Sequence, residues 1–201
     1  MRWPRIIFFT ILALIIGAFL HYTLPQRDIV RITDTEIIRT DFSGWNRIFY
    51  AQGDSGGAQV ESRDLRLINT VQADGDVMVY RNEDTGFGWP PYFKLDSADV
   101  QAEAANLVST ADSPQWVAVT HYGWRSRLLT TYPNAISLRE VAGPDVTLFP
   151  WLNVVILAAI ALILFMAWRI WERFEDRVVE PAADRVAVRW AKMKDWATGR
   201  R

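Results

Sequence analysis

Five acidic or amide side chains fall within eleven residues of one another: Asp74, Asp76, Asn82, Glu83 and Asp84. Carboxylate and amide oxygens in such number are what a calcium ion takes as ligands, so Asp74, Asp76, Glu83 and Asp84 are the candidate metal ligands. Their order departs from the D-x-[DN]-x-[DN]-G calcium loop. If the two pairs flank a strand they stand a strand length apart. A solvated acidic loop is the competing reading, and on it Glu83→Gln does little. The next residues, "TGFGWPPYFK", place Trp89, Tyr92 and Phe93 among two glycines and two prolines. Rigid aromatics rimmed by polar groups anchor protein interfaces, which makes these three the candidate partner-binding residues. The alternative is a structural clamp, with the rings covering the edge of a core. His121 could head a nucleophilic group with Ser126 and Asp112, yet no G-x-S-x-G accompanies it. No catalytic residue is therefore assigned.

The elements that position these residues begin with two apolar blocks, 6–24 and 148–168. About 20 apolar residues of helix span a hydrocarbon core of roughly 30 Å, so both blocks qualify as transmembrane helices. Arg2 and Arg5 precede the first block as in a secretory signal, but no small-x-small cleavage site follows Leu20, and retention as an anchor is expected. Residues 25–147 hold eleven Lys/Arg against seventeen Asp/Glu, a formal charge of −6, whereas residues 169–201 carry +3. Basic flanks stay inside, which predicts residues 1–5 and 169–201 on the cytoplasmic side of the membrane and 25–147 outside it. Trp3, Tyr22, Trp151, Trp168 and Trp171 mark the ends of the blocks, where amphipathic rings prefer the headgroups. The absence of cysteine excludes thiol nucleophiles and cysteine-ligated zinc.

Within the middle segment, "DIVRITDTEIIRTD" reads as one bent strand or a tight pair and "NRIFYAQ" at 46–52 as another strand, closed by glycines at 53–57. "DLRLINTVQ" and "DVMVYRN" flank Asp74-Gly75 as a hairpin. "DSADVQAEAANLVS" predicts a short helix capped by Asp96 or Ser97. Strands follow in "PQWVAVTHYGWRSRLLT", with a bend permitted at Gly123, and in "NAISLREV". The expected fold class is an α+β membrane protein. Its two transmembrane helices flank a small, mainly antiparallel β domain with one helix laid on it in two layers, and a C-terminal amphipathic helix follows.

The run "YRNEDTGFGWPPYFKLDSADVQAEA", followed by "THYGWRS" and "YPNAIS", resembles a bacterial, largely alphaproteobacterial family of two-span membrane proteins catalogued as a domain of unknown function. The resemblance runs from the first span through the second and is weakest after about Arg177. It implies an inner-membrane protein and supplies no catalytic residues.

In the spans, Ala13 and Gly17 have the small-xxx-small spacing of a packing face. In the tail, Pro181 interrupts the helix, after which Val186, Trp190, Met193 and Ala197 form an apolar stripe. Arg185, Arg189 and Lys192 lie beside Trp190 as membrane-surface residues. The partners expected are the lipid bilayer and a membrane or periplasmic protein, not nucleic acid, and no cofactor is called for. The expected role is a non-enzymatic accessory, assembly or scaffold protein. A periplasmic small-molecule or ion sensor and a membrane-anchored hydrolase are the alternatives.

Overall fold

A computed structural model describes residues 3–41 and 62–197. The strand expected at 46–52 and the glycine turn at 53–57 lie outside the described residues. The chain divides into two units, Met1–Pro150 and Trp151–Arg201.

The first unit starts with helix α1, Trp3–Thr23, whose 21 residues make about 31 Å of helix. Strand β1, Gln26–Asp41, follows at once. It is the bent strand that its Ile, Val and Thr content predicts. Its first residues, Gln26 to Arg31, pair with β4 (Trp116–Tyr122), while Val30 to Asp41 pair with β2 (Ser62–Gln72). The register shifts between Ile32 and Asp34. A shift of this kind bends and twists a strand, and one such strand can serve two neighbours on opposite sides.

Strand β3, Val77–Arg81, returns antiparallel to β2. Gly75 makes this hairpin possible: its N–H closes on the Gln72 carbonyl at 3.0 Å with φ at +91°, a left-handed conformation that glycine enters without steric cost. Strand β5, Asn134–Val141, pairs antiparallel with β4 and meets β3 in parallel at Arg81 and Asn134. The sheet thus closes into a barrel in the order β1-β2-β3-β5-β4. This corrects the expected two-layer sheet, because closure rests on pairings between segments far apart in sequence. The order, with its helix between β3 and β4, is that of the OB-type Greek-key barrel.

That helix is α2, Ser97–Asn106. Val100, Ala104 and Leu107 recur at helical spacing and are buried with Val30, Ile32, Ile68, Tyr80, Val117 and Val119. Burying each such aliphatic side chain stabilises by about 1.5–3 kcal/mol. A smaller cluster gathers Leu65 and Leu67 with Ile38, Val79 and Tyr132.

In the second unit, α3 covers Trp151–Phe174, a π-helical turn covers Glu175–Val179 and α4 covers Glu180–Ala197. The backbone stays helical through Pro181, so the expected interruption is instead a change of winding. A proline lacks the N–H and crowds the carbonyl four residues back, and the wider turn just before it accommodates both. By length and composition, α1 and the stretch Trp151–Arg177 can each cross a membrane.

Candidate functional site

The last carbonyls of a helix have no donor within it. In α1 the barrel provides them. The Gln26 side-chain amide donates to the His21 carbonyl at 2.8 Å, the Gly123 N–H to the Tyr22 carbonyl at 2.9 Å, and the Tyr92 hydroxyl to the Thr23 carbonyl. Trp124 Nε1 donates to His21 Nδ1 at 2.9 Å. Rings fill the space between: Tyr92 stacks on Tyr122 at 5.1 Å, and Tyr22 meets Trp124 edge to face at 5.3 Å. Gly123 sits at φ +94°, and a Cβ there would lie 3.6 Å from both Pro133 and the Tyr22 ring. The expected bend in β4 is therefore the strand's end, where its backbone turns to meet α1.

Beneath this contact lies a buried polar cluster. Arg81 and Glu83 pair at 3.1 Å, both nearly inaccessible. Asn134 Oδ1 accepts from the Glu83 N–H at 2.9 Å, while its Nδ2 donates to the Glu83 carbonyl at 3.0 Å and to Tyr122 at 3.1 Å. Lys94 Nζ donates to the Ala135 carbonyl at 2.6 Å and to Asn82 Oδ1. Burial lowers the Lys94 ammonium to about 8, against the pull of Asp84, Asp96 and Glu83.

The sign of the pH effect follows. Below about 8 the lysine is charged both folded and unfolded, and the folded protein bears the desolvation cost. As pH rises toward 10.5, the folded form sheds its proton first and that cost disappears. Stability should therefore climb by about 2–3 kcal/mol between roughly pH 8 and 10. Above about 10 it should fall, because burial pushes the Tyr80 and Tyr92 hydroxyls up and the folded state resists their ionisation. Thermal melts in detergent across this range check the rise, and Lys94→Met should abolish it.

A second polar group, with Asp28 half-buried between buried Tyr80 and His121, joins three strands. Asp28 Oδ2 accepts from Tyr80 at 2.6 Å and faces His121 Nε2 at 2.9 Å. An imidazole nitrogen against a carboxylate acts as the donor, so Nε2 carries a proton here. His121 Nδ1 is buried without a hydrogen-bond partner among the described residues. Burial alone would raise the Asp28 carboxyl, but the bonds from His121 and Tyr80 outweigh it and hold it below the usual carboxylate range.

The family described as "Protein of unknown function (DUF1523)" matches residues 1–175. The chain belongs to this family. An "Uncharacterized protein" of Haemophilus influenzae (strain ATCC 51907 / DSM 11121 / KW20 / Rd) is 35% identical over 147 residues, which cover 73% of this chain and 79% of the relative. No solved structure matches. The DUF1523 match takes in α1, the barrel and α3 and stops before α4.

The sequence candidates are dispersed over this DUF1523 structure. Asp74 and Asp76 share the hairpin turn, where the Asp76 N–H donates to Asp74 Oδ1 at 3.0 Å. Glu83 is committed to Arg81. Asp84 caps α2 from outside it, accepting from the Ser97 N–H at 2.8 Å and the Ser97 hydroxyl at 2.9 Å, while Asp96 makes no side-chain cap bond. Among the described residues no group of three His, Asp or Glu side chains converges for a metal. His121 bonds to neither Ser126 nor Asp112; Ser126 Oγ instead accepts from the Leu129 N–H at 3.3 Å.

Of the aromatic candidates, Tyr92 is built into the α1 contact, whereas Trp89 is 65% exposed and Phe93 is also exposed. Tyr92 holds α1 through its hydrogen bond, while Trp89 touches the helix from its exposed side. The Trp89–Pro90 peptide is cis. In α1, a Cβ built on Gly17 meets nothing within 4 Å, and Ala13 lines an open groove on the same helix with Phe9 and Thr10. On α4, Arg185, Arg189, Trp190 and Lys192 are all exposed, and Arg185 Nε donates to the Pro181 carbonyl at 3.0 Å. The residues missed in the sequence are Asp28, Arg81, Lys94 and Asn134. Of these, Lys94 alone offered a signal, a charge between Phe93 and Leu95.

Proposed function

We propose that this chain is a non-enzymatic two-span protein of a bacterial inner membrane. In this reading both termini are cytoplasmic, and the barrel, in the periplasm, binds another membrane or periplasmic protein as an accessory, assembly or scaffold factor. One observation carries it: three carbonyls of the last turn of α1 are completed by barrel donors. A domain joined to its anchor in this way, without a free linker, presents its surface at a fixed height and orientation. Such presentation suits docking, where preorganisation lowers the cost of binding. The exposed basic and apolar residues of α4 fit a helix lying on the cytoplasmic leaflet.

A smaller polar cleft, about 250 Å³, supports the second reading, a small-molecule or ion sensor. Arg66, Asn82, Glu83, Asp84 and Ser97 line it beside β2 and β3, the strands that form the ligand face of OB-type barrels. Its volume is below the roughly 300–1,000 Å³ of ordinary ligand sites. Cross-linking in native membranes followed by mild-detergent purification and mass spectrometry separates the two readings. A stoichiometric membrane or envelope protein is expected, and a co-purifying small molecule with no protein would favour the cleft. Alkaline phosphatase fused after residue 146 should be active and fused at the C-terminus inactive. The reverse would overturn the orientation.

A further inference from the structure

The barrel end that receives α1 also carries apolar side chains that the core does not cover and that the α1 contact leaves largely exposed. Phe87 is 86% exposed and meets the exposed Phe93 ring edge-on at 5.9 Å. Trp89, between them in sequence, lies flat on Phe19 of α1, with centroids 5.6 Å apart and planes 14° apart. The β4–β5 connection adds a second group, in which Trp124 bonds to His21 and Leu128 is 98% exposed. Arg125 and Arg127, in the same connection, are exposed too. The chain also returns to this end before Pro150, since the Arg27 guanidinium donates to the Phe149 carbonyl at 3.2 Å.

Phe19 is four residues short of the end of α1, hence about 6 Å below it along the helix axis. A ring stacked on Phe19 shares that depth. Apolar faces of interfacial elements are buried about 5–10 Å into the boundary between headgroups and acyl chains, so Trp89 lies where such anchors lie.

We infer that the exposed rings of Phe87, Trp89 and Phe93, together with the exposed side chains of residues 124–129, dip into the periplasmic leaflet of the bilayer that α1 crosses and bind lipid there. The inference rests on the proposal that α1 is a span. Exposed apolar patches mark either membrane or protein contacts. Continuity decides for lipid: through Trp89 on Phe19, the patch prolongs the apolar surface of α1 itself. The connection joins Trp124, Leu128 and Leu129, suited to acyl chains, to the exposed Arg127, suited to a headgroup phosphate, while Arg125 is held over the Tyr132 ring at 4.4 Å; this is the composition of an interfacial element. Trp89 and Phe93, expected from sequence to meet a protein, are thereby assigned to the bilayer.

The chain has no cysteine, so Phe87→Cys, Leu128→Cys, Leu14→Cys and Asp112→Cys each give one attachment point for a nitroxide. Asp112 is exposed in the connection that enters β4 at Trp116, the strand end away from α1. The full-length variants are reconstituted in vesicles of phosphatidylethanolamine and phosphatidylglycerol. Collision rates are then read with oxygen, which concentrates in lipid, and with a water-soluble nickel chelate. Oxygen should dominate at 14, 87 and 128 and nickel at 112. Oxygen dominance at 14 with nickel dominance at 87 and 128 overturns the dipping loops and leaves the span standing. Nickel dominance at 14 removes the span, and the inference with it. Low collision with both reagents at 87 and 128 means a protein surface covers them, which also overturns the lipid assignment.

Discussion

Exchanging Glu83 for Gln is expected to destabilise the barrel by about 3–5 kcal/mol, the cost of removing one partner of a buried ion pair. Read as part of a solvated acidic loop, Glu83 would tolerate the change. Placed at 3.1 Å from Arg81, with both side chains under a tenth exposed, it does not. The carboxylate balances a guanidinium that also faces Tyr22 of α1, so the charge left behind lies under the contact between helix and barrel. Replacing both members with apolar residues of similar volume should recover much of the loss, because the desolvation of two charges is then avoided. Thermal unfolding in detergent of the two single variants and the double variant gives the cycle. Asp74→Asn, in the exposed hairpin turn, serves as the control and should change stability by no more than about 0.5 kcal/mol. A Glu83→Gln loss equally small would show that Arg81 finds compensation elsewhere.

Asp28→Ala is expected to have an effect of similar size by a different route. It leaves the Tyr80 hydroxyl and His121 Nε2 buried without their acceptor. Each orphaned donor costs about 1–3 kcal/mol, and because the two share one carboxylate their sum need not be additive. The pH dependence adds a signature that lost packing would not produce. Asp28 is held below its ordinary 3.8, so its contribution is complete above that value and is lost as pH falls through the folded pKa. The natural chain should lose stability steeply below about pH 4, and the variant, already lacking this contribution, less steeply. Parallel acid limbs in the two proteins would mean that the carboxylate does not carry the coupling.

What could be read from the sequence was what neighbours decide. Asp74-Gly75 fixed a hairpin because a left-handed residue is needed there, and Val100, Ala104 and Leu107 announced a helix by their spacing. The apolar blocks 6–24 and 148–168 correspond to α1 and α3 to within a few residues at each end, apart from the mixed polar and aromatic stretch that α3 adds up to Phe174. The barrel was not legible because its closure depends on Gln26 lying opposite His121, and on Arg81 meeting Asn134. The same distance hid the site. Sequence proximity groups His121 with Ser126 and Asp112, while its partner in the fold, Asp28, is 93 positions away and arrives by strand register. Apart from its place between Phe93 and Leu95, nothing in the sequence marks Lys94 as buried. Only the positions of Asn82 and the Ala135 carbonyl show it to be enclosed.

The way α1 ends also sets an order of events during synthesis. The Thr23 carbonyl waits for Tyr92, 69 residues on, and His21 for Trp124, 103 residues on. Contacts of such sequence separation form late, since the entropy of closing the intervening loops must be overcome before they contribute anything. The last turn of α1 therefore starts with its local bonds alone, from Leu24 to the Leu20 carbonyl and from Gln26 to the His21 carbonyl, and gains the distant ones only when β4 is in place. A ribosome has by then made more than half of the chain.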